Sequence, residues 1–545
     1  MRTTQCLPER LNAVPFIRSC LLATVLAVFG TPLSVSAQAI PGRGDGLLAT
    51  AQQAAAPAAQ IRRLSVDEAV RLAAENNLGI QISRYDPQIE DLNVAQVRAG
   101  YVPSITSSFQ STSRTQPSQN FLEGSFLASD DTVVNQTAVT GLLRWGSRYD
   151  LGWNSQRFES NNFSATRNPS LSSNLRLNFT QPLLRNFKID NLRQQLDVSQ
   201  MNRQIADLDV REQLIATSRS VRNAYWNLAY QMASLEVARQ SLELAQESLR
   251  NTRSRVEIGT IPPIDVVQDE AEVAQRLEAV IVAEAQISTA EDTLRALVFN
   301  PSAPDFWSIR IQPDDLPAFQ PVQVNVTTVI QNALERRSDL QRTRKSLDIT
   351  DVNIAFARNQ TLPDVNASLT YNTVGVGGRE IERGPGPFGP GTGAPTGGFI
   401  NRRFGSVLGD LFANDFPTWT FSVQVGYPIG RSTQEAALAR TRIQRTQAAT
   451  QLRNAQLQVE TEVRQRARQV VTNQQRVQTT RTAREAQERR LDAEQRKLAA
   501  GTSTNFQVFQ AQRDLAQARN NELRAILDYN QSVVDLDTVQ EVPVR

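Results

Sequence analysis

Two stretches of the chain, residues 186–258 and 432–500, contain neither glycine nor proline. These two residues cost an α-helix more than any others. Each stretch can therefore run as one unbroken helix, on the order of 100 Å long at 1.5 Å per residue. Helices in ordinary globular domains average about 12 residues, so these are rods. In the second rod Leu452, Ala455, Val459, Val463, Val470 and Val477 recur at spacings of three, four and seven. That is a narrow coiled-coil seam of little bulk, flanked by Gln, Arg, Thr and Ala. Each rod ends at a small turn, Gly259-Thr260-Ile261-Pro262-Pro263-Ile264-Asp265 in one case and Gly501-Thr502-Ser503-Thr504-Asn505-Phe506 in the other. Each then returns as a shorter helix, to about Val298 and about Val539.

The rods belong to two copies of one plan. At an offset of 260, Ala73 meets Ala333, Val94 meets Ile354, Ala95 meets Ala355 and Pro103 meets Pro363. Further on the offset is 242, where Val221-Arg222 meets Val463-Arg464, Leu249 meets Leu491, and Gly259-Thr260 meets Gly501-Thr502. Val266 and Gln268 meet Val508 and Gln510 at the same offset. Matched glycine and proline breakpoints in the same order mark a true internal repeat. Repeat 1 covers 64–298, a linker covers 299–323, repeat 2 covers 324–540 and a tail follows at 541–545. Each repeat opens with a helix. The first starts at Ser65, with Glu68 three residues on as a capping box, and is expected to break near Gly79 before reaching Gly100.

Between the opening helix and the rod, each copy carries alternating sequence, over about 104–181 and about 364–427. Ile105, Ser107, Phe109 and Ser111 alternate with polar residues; Leu175, Leu177 and Phe179 do so more cleanly. In repeat 2, Val365, Ala367, Leu369 and Tyr371 form one face, and Trp419, Phe421, Val423, Val425 and Tyr427 another. Period two means strands with one apolar and one polar face. Pro103, Pro182, Pro363 and Pro428 stand at the strand–helix junctions. In repeat 1 the segment from Thr132 to Phe158, with Arg144-Trp145-Gly146-Ser147 as a turn, is ambiguous. The expectation is four barrel strands per chain, with this segment a loop or partial strand. A Gly/Pro-rich insert at 384–393 lacks a GK[ST] step and is a surface loop rather than a phosphate-binding loop.

Composition excludes much chemistry. Among 545 residues there is no histidine, and the only cysteines are Cys6 and Cys20. That removes His and Cys metal sites, Ser-His-Asp triads and thiol nucleophiles. Acids such as Asp130 and Asp131 sit in a Ser/Thr-rich setting that suggests solvation rather than catalysis. No enzyme activity and no cofactor are expected. Lys+Arg of 58 against Asp+Glu of 55 leaves +3, with no basic excess for nucleic acid. Residues 1–39 have the form of an export signal: basic Arg2, Arg10 and Arg18, an apolar run from Cys20 to Phe29, and small residues before Ala37 and Ala39. The apolar run is too short to span a bilayer, which takes about 20 residues. Cleavage after Ala39 removes both cysteines and leaves a loose leader at 40–63.

An exported chain with two-faced aromatic strands and no spanning helix fits a membrane in one way. In lipid only helices and closed barrels satisfy every backbone group. Four strands cannot close a pore, since single-chain barrels need about eight. Several chains must therefore pool strands, and the rods beneath would ring a tube. The fold class is mainly α with β: two repeats, long coiled-coil hairpins forming a tunnel, and strand pairs given to a shared barrel. The alternatives are a soluble periplasmic coiled-coil adaptor or a structural protein. An adaptor has one helical hairpin and a lipoyl-like domain, whereas two hairpins and two aromatic strand pairs are present here.

The doubled order helix–Pro–strand–loop–strand–Pro–rod–Gly turn–helix resembles the TolC-like outer-membrane efflux channels. The resemblance rests on Gln181-Pro182-Leu183-Leu184 and Tyr427-Pro428-Ile429-Gly430 at the joints, on Gly259 to Gln268 and Gly501 to Gln510 at the tips, and on Ala224-Tyr225-Trp226-Asn227-Leu228 in the first rod. It covers about 64–540. It implies a homotrimer in the bacterial outer membrane, with lipid around a shared twelve-strand barrel and a large periplasmic part. It also implies a periplasmic adaptor and an inner-membrane pump of RND, ABC or MFS type. The function implied is passive conduction of substrates from pump and adaptor to the exterior, in multidrug efflux or type I secretion. The leader, the linker near 300–324 and the C-terminus would form a belt midway down the tunnel. Gly259, Thr260, Ile264, Asp265, Val266, Gly501, Thr502 and Val508 would meet the adaptor.

The gate departs from the family pattern. Where the family carries two aspartates and an arginine at the second tip, this chain has Gln507, Gln510 and Ser503. The i, i+3 spacing keeps the two glutamines on one face. Asp265 matches an acid that the family pairs with that arginine. The expectation is a closed tip held by packing and neutral hydrogen bonds rather than ion pairs.

Overall fold

In a computed structural model of the chain, the described residues are 61–117, 126–315, 319–386, 389, 393–430 and 432–541. The expected export signal, nearly all of the leader, the last four residues and part of the 384–393 insert lie outside them. Repeat 1 runs β1 (Ile61–Leu64), α1 (Val66–Asn76), α2 (Leu78–Ser83), α3 (Tyr85–Ala99), β2 (Ser104–Pro117), β3 (Leu127–Leu142), β4 (Arg148–Ser160), β5 (Arg167–Pro182), α4 (Asn191–Glu257) and α5 (Ile264–Val298). The linker holds β6 (Arg310–Pro313). Repeat 2 runs α6 (Val326–Arg336), α7 (Ser338–Gln360), β7 (Asp364–Arg383), β8 (Pro395–Arg402), α8 (Phe404–Ala413), β9 (Pro417–Gly426), α9 (Thr433–Ala499) and α10 (Asn505–Val539).

Three pairs of helices match between the repeats in length. Helices α1 and α6 have 11 residues each, the rods α4 and α9 have 67 each, and the return helices α5 and α10 have 35 each. Side-chain caps start most of them. Ser65 accepts from the Glu68 N–H, Asp190 from Arg193 and Ser432 from Glu435. The expected break at Gly79 lies two residues earlier. Asn77 ends α1, and its Oδ1 accepts from the Gly79 and Ile80 N–H groups to start α2, so Gly79 sits inside a helix. Helix α7 has no cap of its own. Glu541, just past α10, supplies one from a distance, accepting from the Ser338 N–H and Oγ, both at 2.8 Å. A carboxylate is well placed at that end of the helix dipole.

One antiparallel sheet holds the strands in the order β2-β3-β4-β5-β7-β8, with β9 also beside β7. Its register separates an apolar from a polar face near the rod end. Ile105, Val139, Leu151, Leu177, Tyr371 and Trp419 are successive partners in one row across six strands. The adjoining row, pointing to the opposite face, is Ser104, Thr140, Asp150, Asn178, Thr370 and Thr420. This corrects the four-strand expectation: 132–158 is not a loop but the body of β3 and β4. Residues 143–147 turn between them, closed by bonds from the Leu143 N–H to the Ser147 carbonyl and from the Gly146 N–H to the Leu143 carbonyl. The alternation in β3 is hard to see because Thr137 and Asn135 sit on its apolar side. The turn locks onto the rod's start: Gly146 has φ +92°, and a Cβ there would lie 2.9 Å from an Arg193 guanidinium nitrogen.

No described helix is long and apolar enough to cross a membrane. The cores lie around the linker instead. Strand β1 pairs in parallel with β6, and Leu64, Ile309, Ile311, Phe299 and Phe306 pack on Val221, Tyr225 and Leu228 of α4. A second cluster joins Val459, Val463, Val470 and Val477 of α9 to Ala525, Tyr529 and Leu536 of α10, as the seam spacing predicted. Two buried tyrosines pin the linker region. The Tyr225 hydroxyl donates to the Leu64 carbonyl at 2.9 Å and accepts from the Asp315 N–H at 3.0 Å. Tyr529 likewise donates to the Gln320 carbonyl at 2.7 Å and accepts from the Val322 N–H at 3.1 Å. Burial pushes the Tyr225 phenol up to about 12. Replacing Tyr225 with Phe leaves two backbone groups without this partner and should cost about 1–2 kcal/mol, read as a lower denaturant midpoint; an unchanged midpoint contradicts the pin.

Candidate functional site

The tips are built by one backbone device used twice. In the first, the Gly259 N–H donates to the Val256 carbonyl and the Thr260 N–H to the Arg255 carbonyl. In the second, the Gly501 N–H donates to Leu498 and the Thr502 N–H to Lys497. These are paired Schellman ends, which place the glycine in the left-handed region. Gly259 has φ +80° and Gly501 has φ +74°, and around each there is open space. The threonine hydroxyls add a bond to the same carbonyls, Thr260 to Arg255 at 2.8 Å and Thr502 to Lys497 at 3.1 Å.

Among the residues expected to meet a partner, Gly259, Thr260, Gly501, Thr502 and Ile264 are exposed, and Asp265 and Val266 are half-buried. Val508 is not available: it packs with Leu491, Ala511 and Leu515 between α9 and α10. The exposed apolar side chains at the tips are Ile258, Ile264, Val267 and Phe506. Sequence reasoning missed Ile258 and Val267, which are ordinary helix residues until the turn leaves them without a neighbour. The prolines stand at the junctions as expected: Pro103 and Pro363 precede β2 and β7, Pro182 closes β5, and Pro428 follows β9.

The glutamines are committed within the chain. Gln507 closes the capping box of α10 with Thr504, and its Oε1 also accepts from Ser503 Oγ at 2.6 Å. Ser503 Oγ is also 2.9 Å from Glu494 Oε2. Gln510 donates to Asp514 Oδ1 and accepts from Arg513, both at 2.9 Å. Ion pairs as well as neutral bonds join the repeats here. Arg513 of α10 donates to Glu272 Oε2 of α5 at 2.9 Å, and the other oxygen of Glu272 takes Arg276 at 2.7 Å. Arg490 of α9 reaches Asp514 at 2.8 Å. Asp265 makes no salt bridge among the described residues. Asn505 adds a neutral link to Thr252 of α4 at 3.2 Å. About one turn of helix beyond Asp265, Asp269 is 1% exposed, and its Oδ2 has no hydrogen-bond partner among the described residues. Burial holds its carboxyl above the usual range, against the pull of the Thr252 and Ser248 hydroxyls. No motif marks Asp269, Glu272 or Arg513; a helix-face plot from Asp265 through Asp269 and Glu272 to Arg276 would have shown an acidic stripe ending in arginine.

A family profile described as outer membrane efflux protein matches residues 69–298 and 329–539, the two repeats. The chain belongs to the outer membrane efflux protein family. It is therefore an outer-membrane efflux channel, with the TolC-like fold that the doubled motifs suggested. Solved structures agree on the fold. CusC, from a study of folding and transmembrane channel formation, aligns at TM-score 0.61 with 14% identity over 87% of this chain and 91% of that one. The Campylobacter jejuni CmeC outer membrane channel aligns at 0.60 with 12% identity over 87% and 85%. The outer membrane protein VceC from Vibrio cholerae aligns at 0.59 with 15% identity over 87% and 96%. No curated protein sequence matches the chain. The family and these neighbours are transport channels rather than enzymes.

The raised Asp269 carboxyl gives this channel a pH signature. A carboxyl whose folded pKa lies above its unfolded value stabilises fully only below the unfolded value, and that contribution is lost as pH rises through the folded one. Ionisation of Asp269 as the pH rises should therefore weaken the tip. Asp269→Asn should raise the melting temperature by a few degrees at pH 8, and the gain should shrink as the medium is acidified toward pH 4. A gain independent of pH, or none, contradicts this.

Proposed function

We propose that three copies of the chain form a conduit in the bacterial outer membrane, with the rods extending into the periplasm as a tunnel. The observation that carries this is the row from Ile105 to Trp419: one apolar face continuous over six strands, with Ile105, Phe109, Trp419, Phe421, Val423 and Val425 exposed on it. Among the described residues the outer strands β2 and β9 each have one neighbouring strand, so each offers an edge for pairing. Pairing β9 of one copy with β2 of the next closes a ring. With six strands per chain the ring has eighteen strands, not the twelve that the family resemblance implied. The polar row of Ser104, Thr140, Asp150, Asn178, Thr370 and Thr420 then faces a watery lumen.

Conduction is passive, and the tips are where energy-coupled partners dock. A periplasmic adaptor, serving an inner-membrane pump of the RND, ABC or MFS type, meets the exposed turns at Gly259, Thr260, Ile264, Gly501 and Thr502. Asp265 and Val266 border that surface. The tip is closed by the Arg513–Glu272 pair and by the Ser503, Gln507 and Gln510 hydrogen bonds. A pump moves cargo such as drugs or secreted polypeptide, and the channel supplies the path outward. The two-hairpin plan and the family match argue against a soluble adaptor.

An unheated envelope sample on an SDS gel should show a trimer-sized band that collapses to monomer on boiling. A monomer band before heating contradicts the shared barrel. Gly259→Leu and Gly501→Leu place a bulky side chain where φ favours glycine and where the partner approaches. They should lower export severalfold while the trimer band persists; unchanged export contradicts docking at the tips.

A further inference from the structure

Helix α8 is out of place in a soluble setting. Its ten residues, Phe-Gly-Ser-Val-Leu-Gly-Asp-Leu-Phe-Ala, carry a single charge, Asp410, and Arg402 pairs with it at 2.8 Å. Val407 and Leu411 are buried, yet Phe412 is 78% exposed, Phe416 just beyond the helix is 57% exposed, and Phe404 is also exposed. A helix that is apolar nearly all round belongs in a core or in lipid.

Its seat shows which. The residues beneath α8 lie on the apolar face of β7, in step with Leu369 and Tyr371. The Tyr371 hydroxyl bonds to Asn414 Oδ1 at 2.5 Å, and Thr373 Oγ1 reaches the Leu411 carbonyl at 3.4 Å. Gly375 and Gly377 form a notch: a Cβ at Gly375 would lie 2.1 Å from the Val407 carbonyl oxygen, and one at Gly377 would lie 2.5 Å from a Val407 methyl. Helix and strand are in backbone contact, so α8 is fixed to the outside of the sheet, not to the lumen side.

Height follows from register. Asp364 starts β7 at the rod end. With about 3.4 Å per residue and a strand tilt near 40°, Tyr371 stands roughly 18 Å above it and Gly377 roughly 34 Å. The apolar band of such barrels is about 25 Å tall. The helix therefore straddles the far edge of the band, with Phe412 and Phe416 lower and exposed Arg403 and Phe404 higher. The sheet changes character at the same level: Trp153 donates to Ser173 Oγ, and Arg157 and Glu159 pair above it.

We propose that α8 is a lipid-facing anchor lying in the outer leaflet, with Phe412 and Phe416 in the upper acyl chains and Arg403 among the headgroups. It rests on the outer-membrane reading above. Aromatic side chains favour the bilayer interface, and short amphipathic helices bind there in proportion to the apolar area they bury. Continuity with the apolar rows selects lipid over a second protein as the occupant. Three copies would place three such helices around the barrel and fix its depth.

The test uses the purified mature trimer, from which removal of the export signal takes both Cys6 and Cys20, in phosphatidylcholine vesicles. Phe412→Cys carries a bimane label, and Val423→Cys, on the apolar face of β9, is the control. Nitroxide lipids labelled at shallow or deep acyl positions serve as probes, with aqueous iodide as the opposing quencher. The expected result is that the Phe412 label is quenched more strongly by shallow than by deep nitroxide, and Val423 by both. Iodide quenching at Phe412 with lipid quenching at Val423 overturns the anchor and leaves the channel standing. Iodide quenching at both positions overturns the membrane barrel itself. Protection of Phe412 from both quenchers overturns the anchor in favour of cover by a neighbouring copy. Gly375→Leu should unseat the helix and raise iodide quenching at Phe412 while the unheated trimer band remains; an unmoved label contradicts the notch.

Discussion

Everything in this chain depends on a sheet that cannot be satisfied by the chain itself. Six strands place apolar partners in one row and polar partners in the next, and among the described residues α8 is the helix that covers part of the apolar face. Exposed apolar surface of this extent is costly in water, and free strand edges invite pairing. In the arrangement proposed above, lipid would remove the first cost and further copies of the chain the second. The rods, belt and tips are arranged around that requirement: the prolines end the strands, and Asp190 and Ser432 start the rods beneath them.

The rods are held differently from the sheet. A thin seam of Val and Ala leaves little apolar area per turn, so the helices rely on local order. Side-chain caps, many arginine–carboxylate pairs and the two tyrosine-pinned clusters near the linker carry that order. Exposed ion pairs contribute little singly, typically under about 1 kcal/mol. The tips lie far from both clusters, with only small contacts such as Val508 on Leu491. Sparse packing of this kind makes the tips the part of the rods least held by apolar contacts.

Much of this was legible in the sequence. Rod length, the tip glycines, the repeat offsets and the junction prolines follow from where Gly and Pro are absent or matched. The strands β3 and β4 were harder, because Thr and Asn on an outward face blur the alternation, and only register against β2 and β5 resolves it. Asn77 rather than Gly79 breaks the first helix because a side-chain oxygen that caps outweighs a glycine that merely tolerates. Val508 was misplaced because matching it to Val266 says nothing about which way each points. The Arg513–Glu272 pair joins residues far apart in sequence, and no spacing rule links them. Helix α8 was hidden beside the Gly/Pro-rich insert, where its notch partners Gly375 and Gly377 look like ordinary strand glycines.

The central claim, six lipid-facing strands per chain, is tested most directly along β4. Nitroxide side chains placed one at a time at positions 149 to 154 in the reconstituted trimer report collision with oxygen, which favours lipid, and with a nickel chelate, which favours water. Tyr149, Leu151 and Trp153 should be oxygen-accessible, and Asp150, Gly152 and Asn154 nickel-accessible, alternating residue by residue. Uniform nickel accessibility across all six positions would make this segment a loop, return the count to four strands per chain, and contradict the account.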